Sequence, residues 1–465
     1  MRMIDTHGNE MTGGAEAVSA YDHAIDRYLR FHPDVVASVD ALNSQHPDAP
    51  MGWALAAYLN LSSTDADDLP AARSAAQALS ALSGNERESG HAAAIDAWTN
   101  GDWDVAARRL DDVLEHHPTD VLALLIGHQL DFFTGNAVSL RDRPLRTLRD
   151  FPTEHAHLGF VQGMAAFGLE EAGQYHQSID AGQAAVTAHP DDVWAIHAVV
   201  HCFEMLGRVD DGIRFLASDT TRWETDNLFT VHNWWHLALY QLEAGNPERA
   251  LAIYDTEING ESAAGVPIEM LDASALLWRL WLDGTDPGDR FEKLATSWEA
   301  KSGGEPWYAF NDLHAVMALA GAGRLPEAHA VTQRLEHWLG TAGGSNAMMT
   351  SEVGLPACRA VVAWAEERYD DVVETLLPIR RITHRFGGSH AQRDALHRLL
   401  LESAIRSRRF DLARALSSER LEVREASPYS WSQRARSLRG LGDEAGAAAA
   451  DREATTHRDR FRLAG

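Results

Sequence analysis

"AWTNGDWDVAARRLDDVLEHHPTD", residues 97–120, decides the fold of this 465-residue chain. An apolar helix runs into a tight turn at Gly101. Trp103 opens a second helix with alanine at close-packing positions, and Pro118 follows its end. Small residues let paired helices approach, and proline cannot continue a helix, so the stretch reads as one helix-turn-helix repeat. The theme returns as "GLEEAGQYHQSIDAGQAAVTAHPDD" around Gly173, "MLGRVDDGIRFL" around Gly207 and "LEAGNPERALAIYD" around Gly245. Weaker copies surround Gly323, Tyr369, Phe410 and Gly442. Val/Ile/Thr alternation between hairpin turns is almost absent, and a period of three to four dominates.

The expected fold is therefore all-α: a tetratricopeptide-like solenoid, a right-handed superhelix of helix pairs, spanning 1–465 as one domain. Repeat spacing is irregular, so "NGESAAGVPIEM" (259–270) and "GTAGGSNAMMTSEVGLP" (340–356) are expected to be covering loops. Residues 120–400 form the central part that carries the candidate site.

Hydrophobic residues make up 45% of the chain, enough to bury a core, and repetition explains how one array reaches this length. The net charge of −27 argues against a nucleic-acid partner, since a phosphate backbone would be repelled. Cys202 and Cys358 cannot make a disulfide framework or a Cys-x-x-Cys knuckle. No stretch approaches 18 apolar residues, and the first residues lack a leader's apolar run. The expectation is a soluble, cytoplasmic protein that does not enter membranes.

Two segments carry more than repeat sequence. "IHAVVHCFEM" (196–205) and "VHNWWHLALY" (231–240) each place two histidines four apart. Measured back from the glycine of the following turn, His232, His197, His236, His201 and Glu204 stand 13, 10, 9, 6 and 3 residues away. Steps of three and four share one helix stripe. His314 (9 before Gly323) and His128 (7 before Gly135) extend the series, and Asp312 stands slightly off it. The first helix of each pair lines the concave side of such a solenoid, so these side chains are expected to converge there. Buried imidazoles cost free energy unless each finds a partner. The cluster is thus either a chemical site or a structural polar network.

His-x-x-x-His can chelate a transition metal because residues four apart project side by side. The zincin arrangement is excluded, because Ala198 and Asn233 stand where its glutamate would be. A divalent metal stays open as a cofactor, with a metal-free acid–base pair of histidine and glutamate as the default. Phosphate-loop, nucleophile-elbow and dinucleotide motifs are missing. "RFGGSHAQRD" (385–394) reads either as a loop with a helix cap at Ser389 or as a wall presenting His390, Gln392, Arg393 and Asp394 to the groove.

These strings, with "YDHAIDRYLRF" (21–31), "GMAAFGLEE" (163–171), "FNDLHAVMALAG" (310–321) and "EVGLPACRAVVAW" (352–364), resemble the tetratricopeptide repeat protein 38 family over nearly the full length. The resemblance places that family's motif positions at His197, His201, Glu204, His232, Asn233, Trp235, His236, Asn311, Asp312, His314, Gln392, Arg393 and Asp394. Vertebrate members carry a further histidine where Phe203 stands, so a ligand role there is not general.

The residue types give His197, His201, Glu204, His232, His236, Asp312 and His314 as candidate catalytic groups. His128, Asn233, Trp235, Asn311, Gln392, Arg393 and Asp394 are candidate contacts to a substrate, with Arg393 holding an anionic group. The expected function is an enzyme for a small polar molecule, by acid–base or metal-assisted hydrolysis or elimination. The alternative is a scaffold that binds a peptide or partner protein in the concave groove. Self-association into a homo-oligomer is compatible with either.

Overall fold

The computed structural model describes residues 2–260, 263–301 and 303–464. Helices dominate them, and the strand hairpin Arg2–Ile4 against Glu10–Thr12 is the only sheet among the described residues. No helix there is long and apolar enough to cross a membrane. The all-α fold of tetratricopeptide-type helix pairs is as the repeats predict. Backbone packing divides the chain into two compact units: residues 1–199, 221–230 and 343–348, and residues 200–220, 231–342 and 349–465.

The first unit contains the pairs Glu86–Thr99 with Trp103–His116, Val121–Phe133 with Ala137–Asp150, and Leu158–Glu171 with Tyr175–Ala188. The first helix of a pair is buried on nearly every face, as in "VLALLIGHQLDFF", while the second buries a stripe of Trp103, Ala106, Leu110 and Leu114. Trp98 and Trp103 meet across the turn at 5.6 Å between ring centroids.

The second unit contains Thr230–Glu243 with Pro247–Ile253, Pro267–Leu282 with Arg290–Lys301, and Ala309–Gly321 with Leu325–Leu339. It continues with Leu355–Ala365 and Tyr369–Ile379, His390–Arg406 and Phe410–Val423, and Pro428–Gly440 and Glu444–Ala464.

One turn geometry repeats through both units. Asp102 N–H donates to the Ala97 carbonyl and Gly101 N–H to that of Trp98, both at 2.9 Å, while Gly101 takes φ +87°. This pair of bonds satisfies carbonyls that a helix end would otherwise orphan. In the copies that lack a turn glycine, Glu367 and Arg408 take the left-handed conformation at φ +59° and +63° and make the same bonds. The repeat therefore survives the loss of its most visible residue.

Two expected loops fare differently. Most of 340–356 is helical: Gly344–Met349 runs into a π-turn at Thr350–Gly354 and on into Leu355–Ala365. Pro356 lacks the N–H that a regular helix needs there, and the wider turn just before it accommodates that loss. In 259–270, Glu261 and Ser262 lie outside the described residues, and a helix starts at Pro267.

Candidate functional site

The second unit gathers most of the candidate residues, and each stands on the first helix of its pair. Thr230–Glu243 carries His232, Asn233, Trp235 and His236. The second half of the helix Val193–Met205 brings His201 and Glu204, Ala309–Gly321 brings Asn311, Asp312 and His314, and His390–Arg406 brings Gln392, Arg393 and Asp394.

His201, His232 and His236 form a compact cluster. Their ring centroids lie 4.4 Å (His201–His236), 4.8 Å (His232–His236) and 6.4 Å (His201–His232) apart. One nitrogen of each lies within 4.8 Å of those of the other two. His201 and His236 are fully buried, while the His232 side chain keeps 13% of its surface exposed and marks the solvent edge. Two carboxylates orient the rings: Asp272 Oδ2 lies 2.6 Å from His232 Nδ1, and Glu204 Oε2 lies 3.2 Å from His236 Nδ1. A carboxylate oxygen accepts, so in the neutral rings Nδ1 carries the proton and Nε2 the lone pair. Burial holds the His236 imidazole well below its ordinary pKa, reinforced by His232 and Arg279.

An ion-pair network backs the cluster. Glu204 faces Arg424 at 3.8 Å, and Arg424 reaches Asp394 at 3.3 Å. Asp394 also accepts from Arg398 at 3.1 Å and Arg420 at 2.5 Å, and Arg398 reaches Glu243 at 2.9 Å. Those guanidinium groups hold the Asp394 carboxyl well below its ordinary pKa against the opposing effect of burial. Asp394 is thus an ion-pair hub.

Arg393 donates to the carbonyl of Gly388 and clasps its own loop. Ser389 caps the helix as expected, in a capping box with Gln392. The Gln392 amide also reaches Asp272 Oδ1 at 3.4 Å. Arg279 is buried, lies 5.5 Å over the Trp235 ring and donates to the Ala391 carbonyl. Burial lowers its pKa to about 10.

Several buried polar atoms here lack a hydrogen-bond partner among the described residues: both side-chain atoms of Asn233, Trp235 Nε1 and His314 Nε2. His314 Nδ1 engages the Phe310 carbonyl at 2.7 Å, and burial depresses its pKa to about 4. Burial raises the Asp312 carboxyl to about 7, with Arg334 3.9 Å away. The cavity bounded by Glu204, Arg279, Asp394 and Arg424 measures about 20 Å³, room for about one water.

His128 and His197 belong to the first unit. Trp194 Nε1 donates to His128 Nε2 at 3.2 Å, and burial pushes that imidazole down to about 3. His197 packs among Phe167, Trp194 and Phe229, with centroids 4.9–5.1 Å away, one turn before His201 on the shared helix.

Asp272, Arg279, Arg398 and Arg424 were not singled out from the sequence. The signal existed for two of them: Asp272 and Arg279 interrupt the otherwise apolar "MLDASALLWRLWL" (270–282) and stand two helical turns apart. A charge in such a run must find a partner.

No family model matches the chain. Among solved structures it is similar to the human IFIT1 dimer with PPP-AAAA, at 11% identity and TM-score 0.43 over 98% of this chain and 95% of that one. It is similar to yeast Tom70, at 11% identity and TM-score 0.35 over 96% of each chain. The P58(IPK) TPR domain aligns at 10% identity and TM-score 0.22, covering 82% of this chain and 98% of that one.

Proposed function

We propose that the chain is a binding protein of the tetratricopeptide repeat protein 38 family that takes a cationic peptide segment of a partner on the open clefts of its second unit. The observation that carries this reading is the open space on that unit. Two open clefts of about 430 and 390 Å³ lie there. A peptide side chain fits either cleft.

The smaller cleft joins Trp281 and Phe291 to Asp286, with Arg406 already neutralised by Glu402 at 2.9 Å. Aromatic faces beside a carboxylate suit a lysine or arginine side chain. The excess of 68 acidic over 41 basic residues steers such a partner inward.

Fluorescence anisotropy with labelled basic, neutral and acidic peptides, and with a short oligoadenylate RNA, tests the reading. Salt-sensitive binding of the basic peptides, lost in Trp281→Ala and Asp286→Arg, supports it. Binding of RNA alone, or of no peptide class, overturns it.

A further inference from the structure

We propose that His201, His232 and His236 bind one divalent transition-metal ion, with zinc as the expected occupant. This is independent of the peptide-binding reading, since the clefts and the cluster share no residue.

Four features converge on an ion. Three imidazoles are a frequent protein ligand set for zinc. Tetrahedral ligands about 2.0–2.1 Å from zinc lie about 3.3 Å from one another, so nitrogens now within 4.8 Å need only small side-chain rotations to close on an ion. Two of the three rings already have Nδ1 fixed by a carboxylate, the outer arrangement that aims the opposite nitrogen at a metal and raises its basicity. Asp272 also supplies a fully buried negative charge, and Glu204 a part-buried one shared with Arg424, against the two positive charges of the ion. Nitrogen donors favour zinc over magnesium or calcium.

Proximity of histidines alone does not decide this. His7, His155 and His157 in the first unit are equally close. There His157 uses both nitrogens, on His7 at 2.9 Å and Asp26 at 3.3 Å. His155 likewise uses both, on the Thr6 carbonyl and the His157 N–H, each at 3.0 Å. Among the described residues no carboxylate pair orients those rings as Asp272 and Glu204 orient His232 and His236, and that triad serves as the control.

The test is titration of the chelator-stripped full chain with Zn²⁺ by calorimetry and with Co²⁺ by visible absorption. One equivalent should bind, with the intense bands of four-coordinate cobalt. His232→Asn and His236→Asn should each weaken binding about 100-fold or more, and Asp272→Asn about 10–100-fold. His7→Asn should leave it unchanged. His232→Cys should retain cobalt and add a thiolate-to-metal band, a signature that no packing role produces. Circular dichroism establishes that each variant is folded. Absence of a one-to-one site, binding that survives the cluster variants, loss in His7→Asn, or a His232→Cys spectrum without the thiolate band each overturns the proposal.

Discussion

His232 and Asp272, forty residues apart in sequence, meet at 2.6 Å between Nδ1 and Oδ2. The carboxylate is fully buried, the ring sits at the solvent edge, and Gln392 approaches the other carboxylate oxygen at 3.4 Å. Asp272 therefore fixes the ring's orientation and tautomer.

Removing that carboxylate takes away the acceptor of the buried Gln392 amide and of the part-buried His232 ring. Asp272→Ala should cost about 1–3 kcal/mol in chelator, and Asp272→Asn less, because its amide oxygen can still accept. Urea denaturation measures both. Equal costs would show that the contact holds the fold through packing alone.

Asp394 joins three arginines in the interior. Asp394→Asn leaves uncompensated positive charge there and should destabilise the second unit by about 3–5 kcal/mol. In a repeat architecture the loss can appear as local opening, so hydrogen exchange should show faster exchange in His390–Arg406 and Phe410–Val423. Unchanged protection in those helices would contradict the hub assignment.

Burial raises Asp312 to about 7 from 3.8. Between those values the folded chain holds a proton that the unfolded chain releases, so this group removes stability as pH rises through the window. Asp312→Asn has no such proton. Its stability relative to wild type should therefore be lowest near pH 4 and higher by about 2–4 kcal/mol at pH 8. The difference between the two proteins is the informative quantity. His314, depressed to about 4 from 6.5, acts in the opposite sense and removes stability as pH falls through its own window. Melting curves at pH 5 and 8 decide it, and a difference independent of pH contradicts the assignment.

Glu367 and Arg408 occupy left-handed turn positions where other copies use glycine. A side chain there costs about 1–2 kcal/mol, so Glu367→Gly and Arg408→Gly should each stabilise by about 0.5–1 kcal/mol once glycine's extra unfolded-state entropy is counted. Gly101→Ala should lose about 1 kcal/mol through backbone strain alone, since nothing lies within 4 Å of an added Cβ. Denaturant midpoints test all three variants.

The repeats were legible because the turn geometry and the small-residue packing are local: residues 97–106 contain both. So was the stripe, since positions three and four apart must share a helix face whatever the fold. The cluster's partners were not legible. Asp272 reaches His232 from another repeat, and Asp394 collects Arg420 and Arg424 from beyond its own helix, pairings that exist only once helices stack. Nor did the series announce that His128 and His197 would belong to a different compact unit from His201, His232 and His236. The stretch 340–356 misled through its paired glycines: Gly343 and Gly344 sit at a helix start, and Pro356 is accommodated by a π-turn.

A metal-binding role for His201, His232 and His236 is separable from a structural one by thermal stability. The most direct measurement compares the melting temperature of wild type and His201→Asn, each in chelator and in excess Zn²⁺. The two proteins should melt within a few degrees of each other in chelator. Zinc then raises only the wild type, by about 2.7 kcal/mol of stability at a hundredfold excess over the dissociation constant. A large loss for His201→Asn in chelator, with no response of the wild type to zinc, would contradict it and make the cluster a structural polar network.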